Sequence, residues 1–317
     1  HRIGEHELCT PDYQLVCALA EQCDLEPEEV LNGLLQGEKP RGKHSVVTKI
    51  EAGKFTELGI LEDSNLPIVN LPLIKGLSIS RLEIISNNLS ELDLSSMPNL
   101  TELICGDGRK GFYDNFTLIK LDLSPVPKLI ELCCEGNAIA ALDLSPVPEL
   151  KVLGCAANQL TELELSFVPG LKLLDCGANQ LTELDLSPVH QLTSLWCGDN
   201  QLTELDLSPV PQLNNLCLHY NQLTELDLSP VPKVVDLTCR HNQLTELDLS
   251  PTPKLTELNC GVNKLTKLDL SSVPELVHLW CSGNQLTELD VTPLHHLEHL
   301  SYDTNKTRLT QRPDQNF

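Results

Sequence analysis

Apolar residues return along this chain at a fixed spacing, in the 21-residue pattern LxxLxCxxNxLTELDLSPVPx. The asparagine of this pattern recurs at a constant interval of 21 residues, at Asn137, Asn158, Asn179, Asn200, Asn221, Asn242, Asn263, Asn284 and Asn305. A strict period of this size indicates stacked supersecondary units, because each unit can bury its apolar face only against its neighbours. The sequence therefore predicts a solenoid rather than a globular core.

The two halves of each repeat share one spacing. In a representative coil the first half places apolar side chains at Leu171, Leu174 and Cys176, and the second half repeats the spacing from Leu181 to Leu186. Such alternation is typical of half-buried strands. We therefore expect extended chain in both halves, with sheet-like character on both sides. The Ser-Pro-Val-Pro segment excludes long helices there, because proline removes a backbone donor and restricts its neighbour.

The first part of the chain does not follow the period. The pattern predicts two short amphipathic helices over residues 12–22 and 26–35, followed by a polar, mostly basic linker. Because a solenoid exposes an apolar end unless something covers it, we predict that residues 1–54 form a helical N-terminal cap or accessory segment. Residues 55–75 are irregular and apolar, as in a degenerate first turn. The solenoid itself is predicted over residues 55–317, with about ten to eleven coils.

One insertion interrupts the period, within residues 106–115. It carries glycines around Arg109, Lys110, Phe112 and Tyr113, and so forms a basic and aromatic loop on an acidic chain. Insertions in a solenoid tend to fall on the binding face. We therefore count Arg109, Phe112 and Tyr113 among the candidate binding residues.

The charge balance restricts the partners. A formal net charge of -23 argues against nucleic acid, which needs clustered Lys and Arg, and against anionic membrane surfaces. No apolar run of about 18 residues is present that could span a bilayer. The chain starts at His1 without a methionine, which indicates a fragment or a processed form; a removed signal peptide is compatible with it.

Thirteen cysteines suggest a disulfide scaffold until they are mapped onto the repeat. Eight of them share one repeat position: Cys105, Cys134, Cys155, Cys176, Cys197, Cys239, Cys260 and Cys281. Leu218 and Tyr302 occupy that position in other copies, so we predict buried free thiols that pack as small apolar groups. Side chains of stacked strands point the same way, which disfavours bridging. Reduced cysteines favour the cytoplasm, or a host cell after secretion.

The motif LxxLxCxxNxL resembles the leucine-rich repeat family, and its cysteine-bearing, proline-rich version looks like bacterial leucine-rich repeat proteins. Some proteins of that type are secreted effectors or surface adhesins. The resemblance implies an α/β-type, mainly β repeat solenoid, a horseshoe in which the LxxLxC segments form a parallel concave sheet. It also implies a convex side of extended chain or short strands, a small α-helical N-terminal cap, and asparagine side chains that bond backbone between coils.

Two carboxylate columns repeat in the second half of the coils. The aspartate column is Asp93, Asp122, Asp143, Asp185, Asp206, Asp227, Asp248, Asp269 and Asp290, with Glu164 as its exception, and the glutamate column is Glu91, Glu162, Glu183, Glu204, Glu225, Glu246 and Glu288. Like charges this close raise one another's pKa, so we expect raised pKa values on this acidic face. We interpret it as a solvated surface produced by repeat duplication. A cation-binding or basic-partner surface is the alternative, although calcium sites draw their ligands from glycine-containing loops.

The outward positions around the LxxLxC segment vary from coil to coil. Both tryptophans of the chain lie there, and Trp, Tyr and Arg are the residue types that dominate binding hot spots. Variation on an invariant scaffold predicts a protein-binding patch, with drift as the alternative. We assign the patch to Trp196, His219, Tyr220, Arg240, His241 and Trp280.

Further candidates lie at the outward strand positions. Asp175 belongs to one column with the tryptophans, and Asp236, Glu257, His278 and His299 form a row across consecutive coils. We add Asp175, Asp236 and His278 to the candidate binding residues. The row contains zinc-compatible types, but a straight row is not tetrahedral, so no metal is predicted.

The sequence therefore predicts a non-catalytic protein–protein interaction module that uses no cofactor and binds neither nucleic acid nor membrane. The cysteines of the first segment, Cys9, Cys17 and Cys23, have no histidine or asparagine arrangement typical of a nucleophile. The alternatives are the substrate-recognition part of a larger bacterial effector enzyme, for example of ubiquitin-ligase type, and a surface adhesin. The sequence identifies neither the partner nor the oligomeric state.

Overall fold

The computed structural model consists of strands and turns in the part of the chain that it describes. The described residues are 2–3, 6–7, 44–51, 54–62, 79–85, 91–95, 97–106 and 118–315. The two predicted helices and the insertion residues Arg109, Phe112 and Tyr113 lie outside the described residues, so these assignments stay predictions. The chain divides into two compact units, His1–Gln159 and Leu160–Phe317.

The strands of the first unit form a short pair and a larger sheet. They are β1 (Arg2–Ile3), β2 (His6–Glu7), β3 (His44–Glu51), β4 (Lys54–Glu62), β5 (Arg81–Ile85), β6 (Glu102–Ile104), β7 (Glu131–Cys133) and β8 (Val152–Gly154). β1 pairs with β2 and β3 with β4, both antiparallel, whereas β4 to β8 are parallel in chain order. Residues 55–62, expected to be irregular, therefore form most of β4, because their extended backbone pairs with strands on both sides.

The second unit is built from three-residue strands. They are β9 (Leu173–Asp175), β10 (Ser194–Trp196), β11 (Asn215–Cys217), β12 (Asp236–Thr238), β13 (Glu257–Asn259), β14 (His278–Trp280), β15 (Glu288–Asp290), β16 (His299–Ser301) and β17 (Arg308–Thr310). β9 to β14 and then β16 form a parallel sheet in which each residue pairs with its equivalent one coil later. This register confirms the predicted parallel sheet.

The core is a stack of equivalent side chains. The middle leucine of strands β6 to β15, such as Leu195, Leu216 and Leu237, is buried, and so are the eight cysteines of the shared repeat position, all of them free thiols. Burial raises the pKa of seven of these thiols, that of Cys239 to about 12, so the seven stay protonated at neutral pH: Cys105, Cys134, Cys176, Cys197, Cys239, Cys260 and Cys281. The prediction that these cysteines pack as small apolar groups is confirmed.

The recurring asparagines form a buried hydrogen-bonding ladder. In the coil of Asn200, its Oδ1 accepts the Leu181 N–H at 3.0 Å, and its Nδ2 donates to the carbonyls of Cys176 at 3.0 Å and Cys197 at 3.2 Å. These bonds tie one coil to the preceding one, as the resemblance implies. The last asparagine of the sequence period, Asn305, is exposed, and at this end of the stack the Thr307 hydroxyl donates to the Leu286 carbonyl at 2.8 Å.

The acidic side of the coils is extended but carries little sheet. Within the described residues, strand pairing on this side occurs only between β15 and β17. Elsewhere the coils share bonds such as Gln201 N–H to Leu181 C=O at 2.8 Å and then enter two successive turns, closed by Val210 N–H to Leu207 C=O and Leu213 N–H to Val210 C=O. The sheet expected on this side is therefore confined, among the described residues, to that one strand pair.

The aspartates of the acidic face are structural acceptors, which corrects the expectation of raised pKa values. In the coil of Asp185, Oδ1 accepts the Ser187 N–H at 2.8 Å and Oδ2 accepts the Ser187 hydroxyl at 3.0 Å. These bonds lower the pKa of Asp185, and the same arrangement lowers the pKa values of Asp122, Asp143, Glu164, Asp227 and Asp269. Hydrogen bonds to the charged form therefore outweigh the repulsion between neighbouring carboxylates.

This bonding predicts a pH dependence of stability. A carboxyl whose pKa is lowered by folding stabilises the folded state above its ordinary value of 3.8, and that contribution is lost as the pH falls through the lowered folded value. Replacing Ser187→Ala removes the hydroxyl bond but keeps the backbone bond. The pKa of Asp185 is then expected to rise part of the way to its ordinary value, which a carboxyl NMR titration measures. The pKa of Asp227 in the same spectra serves as the control, and an unchanged Asp185 pKa contradicts this account.

The C-terminal segment covers the last coil, although the sequence pattern shows no cap there. Gln315 Nε2 donates to the carbonyls of Val291 at 3.1 Å and Leu294 at 2.8 Å, and the Arg312 guanidinium donates to the Thr292 carbonyl at 2.6 Å. Together with β17 these two side chains form what we call the C-terminal cap. The sequence did not reveal it because the cap uses Arg and Gln in place of the repeating asparagine.

Candidate binding surface

The variable side chains lie on one surface of the second unit, which we call the strand face. In most of the strands β9 to β14, the middle residue is buried and its two neighbours are partly exposed. The two residues after each buried cysteine continue this surface into the following turn. The strand face therefore presents several outward positions per coil, and the predicted patch residues occupy them.

Four patch residues come together after β11 and β12. The Tyr220 and His241 rings stack with centroids 4.0 Å apart and planes 13° apart, and the Arg240 guanidinium lies 5.1 Å from the centre of the Tyr220 ring. The His219 ring meets Tyr220 edge-on at 5.7 Å. This arrangement combines aromatic stacking with a cation–π contact and leaves Tyr220 exposed.

A second cluster lies on β14 and β16. The Trp280 ring lies 5.6 Å from His278 and 5.5 Å from His299, and the two histidines pair across the strands as the sequence predicts. His278 Nδ1 lies 3.5 Å from Glu257 Oε1, a separation at which an ion pair forms only if the ring is protonated. Among the described residues this nitrogen makes no hydrogen bond.

The remaining predicted residues are spread along the same strands. Trp196 lies on β10 between Asp175 of β9 and Cys217 of β11, at the same register position. Trp196 and Trp280 are four strands apart, which corresponds to about 19 Å at the usual strand spacing. The patch is therefore an elongated surface with two clusters rather than a single compact site.

Two acidic residues on this face are held partly out of water. Burial raises the pKa of Asp175, although its Oδ1 accepts the Gly177 N–H at 3.1 Å. Burial also raises the pKa of Asp236, and the neighbouring Glu257 adds to this shift. The structure places both residues on the strand face, Asp175 on β9 and Asp236 on β12, the strand that precedes Arg240 and His241.

The backbone carries strain where two of the patch residues sit. The residue before each asparagine from Asn137 to Asn284 has a left-handed conformation, with φ of 51° at Tyr220, 52° at His241 and 53° at Val262, whereas Gly283 occupies the same position in the coil after Val262. The left-handed conformation costs free energy for bulky and β-branched residues but not for glycine. Tyr220 and His241 are therefore present despite the preference of the backbone for glycine.

The structure also joins three side chains that the sequence analysis did not connect. Cys217 Sγ lies 3.0 Å from His219 Nδ1, and His219 Nε2 lies 3.0 Å from Asp199 Oδ2. The Cys-x-His spacing on a strand could have indicated the first contact, because alternate residues share a face. Asp199 comes from the preceding coil, and only the fold brings it near. Burial lowers the pKa of His219, Asp199 opposes this shift, and Arg240 adds to it.

A groove of about 1240 Å³ lies on the acidic face of the second unit. The glutamate and aspartate columns line it from Glu162 to Asp269, together with the leucines between them. The aspartate oxygens accept bonds from serines, as at Asp185 and Asp227, but a carboxylate has about four acceptor sites, so both columns offer oxygens to a ligand. The groove keeps open the alternative of a basic partner on this face.

Two further findings concern only the described residues. They contain no group of three or more His, Cys, Asp or Glu side chains placed to hold a metal ion. They also contain no helix long and apolar enough to cross a membrane.

Comparison with known proteins gives structural relatives only. No protein-family profile matches the chain, and no curated protein matches it. Among solved structures, the functional domain of InlJ from Listeria monocytogenes, which includes a cysteine ladder, is 36% identical with a TM-score of 0.68. The match covers 78% of this chain and 53% of that one, so this chain spans about half the length of its relative.

Two other bacterial structures share the fold at lower identity. A leucine-rich repeat protein of Leptospira interrogans is 22% identical, with a TM-score of 0.63 over 80% of this chain and 72% of that one. The internalin inlF from Listeria monocytogenes is 20% identical, with a TM-score of 0.60 over 83% of this chain and 86% of that one. The 21-residue period, the parallel sheet and the buried asparagine ladder thus identify the chain as a leucine-rich repeat protein of the bacterial type.

Proposed function

We propose that the second unit binds a partner protein through the strand face, with Trp196, His219, Tyr220, Arg240, His241 and Trp280 as its docking patch. The leucine-rich repeat neighbours support a protein-interaction module in general. The observation that carries the proposal is the exposed Tyr220–His241 stack beneath Arg240. Aromatic and arginine side chains in such clusters are typical of binding hot spots.

The stacked rings occupy a position that the repeat keeps in a left-handed conformation. Other coils hold it with Gly136, Ala157, Ala178, Asp199, Val262 and Gly283, so the strain belongs to the repeat and not to the patch. Among the described residues at this position, Tyr220 and His241 are the ones that carry rings, and these rings stack on each other. The stack, rather than the strain, therefore supports a role in recognition.

A pull-down with the full chain tests the proposal. Trp196→Ala, Tyr220→Ala and Trp280→Ala are each expected to weaken capture of a partner that the wild-type chain retains. Phe167→Ala is the matched control, because Phe167 is also an exposed aromatic residue, 46% against 41% for Tyr220, but lies in a turn outside the patch. A partner captured equally by all three patch variants contradicts the proposal.

The acidic groove supplies the competing outcome of the same experiment. Glu204→Gln and Glu225→Gln each remove one charge from the groove lining. If these variants lose the partner and the patch variants keep it, the binding surface is the acidic face. The substrate-recognition part of a larger effector enzyme and the surface adhesin stay predictions, which the full-length reading frame distinguishes.

A further inference from the structure

Cys217, His219 and Asp199 form a hydrogen-bonded relay on the strand face. Because a carboxylate only accepts hydrogen bonds, the contact between His219 Nε2 and Asp199 Oδ2 at 3.0 Å places the ring proton on Nε2. In the neutral ring Nδ1 is then an acceptor, and the Cys217 S–H lies 3.0 Å from it. This is the order of nucleophile, base and orienting carboxylate that activates a thiol.

Local packing holds the relay in place. The His219 ring lies directly against the backbone of Gly198, where a Cβ atom would come within 2.2 Å of Nδ1, so any larger residue at Gly198 would displace the ring. A backbone hydrogen bond from His219 also reaches the Cys217 sulfur and favours its thiolate. The absence of a side chain at Gly198 thus leaves space for the His219 ring. The His219 backbone N–H stabilises the negative charge that develops on the Cys217 sulfur.

Cys217 differs in solvent access and in surroundings from the eight cysteines of the shared repeat position, which we call the column cysteines. The eight column cysteines are buried, whereas Cys217 is partly exposed. Cys133 is also partly exposed and occupies the same strand position in β7, but Glu135 stands there where Cys217 has His219. Cys133 is therefore an internal comparison that has access but no imidazole at the equivalent position.

We propose that Cys217 is a modification site that undergoes thiol–disulfide exchange with small disulfides, with His219 as the base. The Cys217 proton passes to His219 Nδ1 while the sulfur attacks one sulfur of the disulfide. The S–S bond of the reagent breaks, and the leaving thiolate takes the proton from His219 to become a free thiol. Cys217 ends in a mixed disulfide, and one half of the reagent is reduced.

The charge states of the resting groups agree with this order of events. Burial raises the pKa of the Cys217 thiol to about 11, and burial lowers the pKa of His219. The pair therefore rests as neutral thiol and neutral imidazole. The proton is transferred as the new S–S bond forms, as in general base catalysis. This chemistry needs no partner protein and is independent of the proposed docking function.

The test treats the full chain with oxidised glutathione at neutral pH and follows each cysteine by peptide mapping of acid-quenched samples. Cys217 is expected to carry the first adduct among the cysteines of the described residues, and Cys217→Ser removes that adduct. His219→Gln is expected to slow the reaction of Cys217 about tenfold or more, with the rate at Cys133 unchanged. Equal Cys217 rates in the wild type and in His219→Gln overturn the proposal, and so does earlier modification of a buried column cysteine.

Asp199 is a positioning residue, and its role has a spectroscopic signature. Asp199→Asn keeps the side-chain size and the left-handed backbone, in which φ is 53°, but removes the carboxylate. The His219 ring is expected to lose its preference for the Nε2–H tautomer in ¹⁵N NMR spectra, and the exchange rate of Cys217 is expected to fall several-fold. Asp199→Glu should restore part of the rate. An unchanged tautomer together with an unchanged rate removes Asp199 from the relay.

Discussion

Asn221→Ala is expected to lower the free energy of unfolding by about 4 kcal/mol. Asn221 is buried; its Oδ1 accepts the Leu202 N–H at 3.0 Å, and its Nδ2 donates to the carbonyls of Cys197 at 3.0 Å and Leu218 at 3.1 Å. Alanine leaves the buried Leu202 N–H without its partner, which costs about 1–3 kcal/mol. Each carbonyl loses one of two asparagine donors, because Asn200 and Asn242 still donate to them, and each lost bond contributes about 0.5–1.5 kcal/mol. Urea unfolding measures the change.

Asn305, the exposed asparagine at the end of the repeating series, supplies the control. Asn305 occupies the same sequence position but is exposed, so Asn305→Ala should change the free energy of unfolding by no more than about 0.5 kcal/mol. The fluorescence of Trp196 and Trp280 reports the unfolding of the second unit. Equal effects of the two substitutions would show that burial and the ladder bonds do not distinguish these asparagines.

Removal of residues 306–317 is expected to destabilise the second unit by about 4 kcal/mol. The C-terminal cap covers the last coil, in which Leu289, Val291 and Leu294 are buried. Each apolar side chain that is uncovered loses about 1.5–3 kcal/mol of burial free energy, and a solenoid without a polar cap exposes its core. The truncated chain should therefore unfold at lower urea concentration and bind an apolar dye more strongly.

A point substitution separates the role of the cap from that of chain length. Gln315→Ala removes the two bonds to the carbonyls of Val291 and Leu294 and the acceptor of the Arg312 N–H. At about 0.5–1.5 kcal/mol for each lost bond, we expect a loss of about 2 kcal/mol. Asp314→Ala removes only an exposed ion pair with Arg312, which contributes little. If the truncated chain keeps the stability of the full chain, the C-terminal segment is not a cap.

Most of the fold follows from the period in the sequence. The spacing of leucine, cysteine and asparagine fixed which side chains stack, because identical positions one coil apart must meet in a solenoid. The buried cysteines and the pairing of His278 with His299 were predictable for this reason. The C-terminal cap was not predictable from the period, because it uses residues outside the repeat.

The acidic columns show why charge alone was a poor guide. From the repeat pattern alone, the expected neighbours of each aspartate are its equivalents in the adjacent coils. The nearest partner is in fact the serine two residues later, which offers both an N–H and a hydroxyl, as Ser187 does to Asp185. The Asp-x-Ser spacing is a known local motif of this kind and could have indicated the lowered pKa values.

The candidate patch was predicted from residue type and variation, and its internal geometry was not. Side chains at Tyr220, Arg240 and His241 meet only because the turn after each strand adopts a left-handed conformation before the asparagine. No pattern of hydrophobic and polar residues specifies that conformation when the position holds tyrosine or histidine instead of glycine. The contact of Asp199 with His219 across coils has the same origin.

Affinity measurements on matched aromatic variants test the central claim most directly. With the partner from the pull-down, a titration compares the wild-type chain with Tyr220→Ala and with Phe167→Ala. If the strand face is the recognition surface, Tyr220→Ala raises the dissociation constant by at least about thirtyfold, as expected for a hot-spot residue, and Phe167→Ala leaves it unchanged. Equal dissociation constants for all three chains would contradict the assignment of the docking patch.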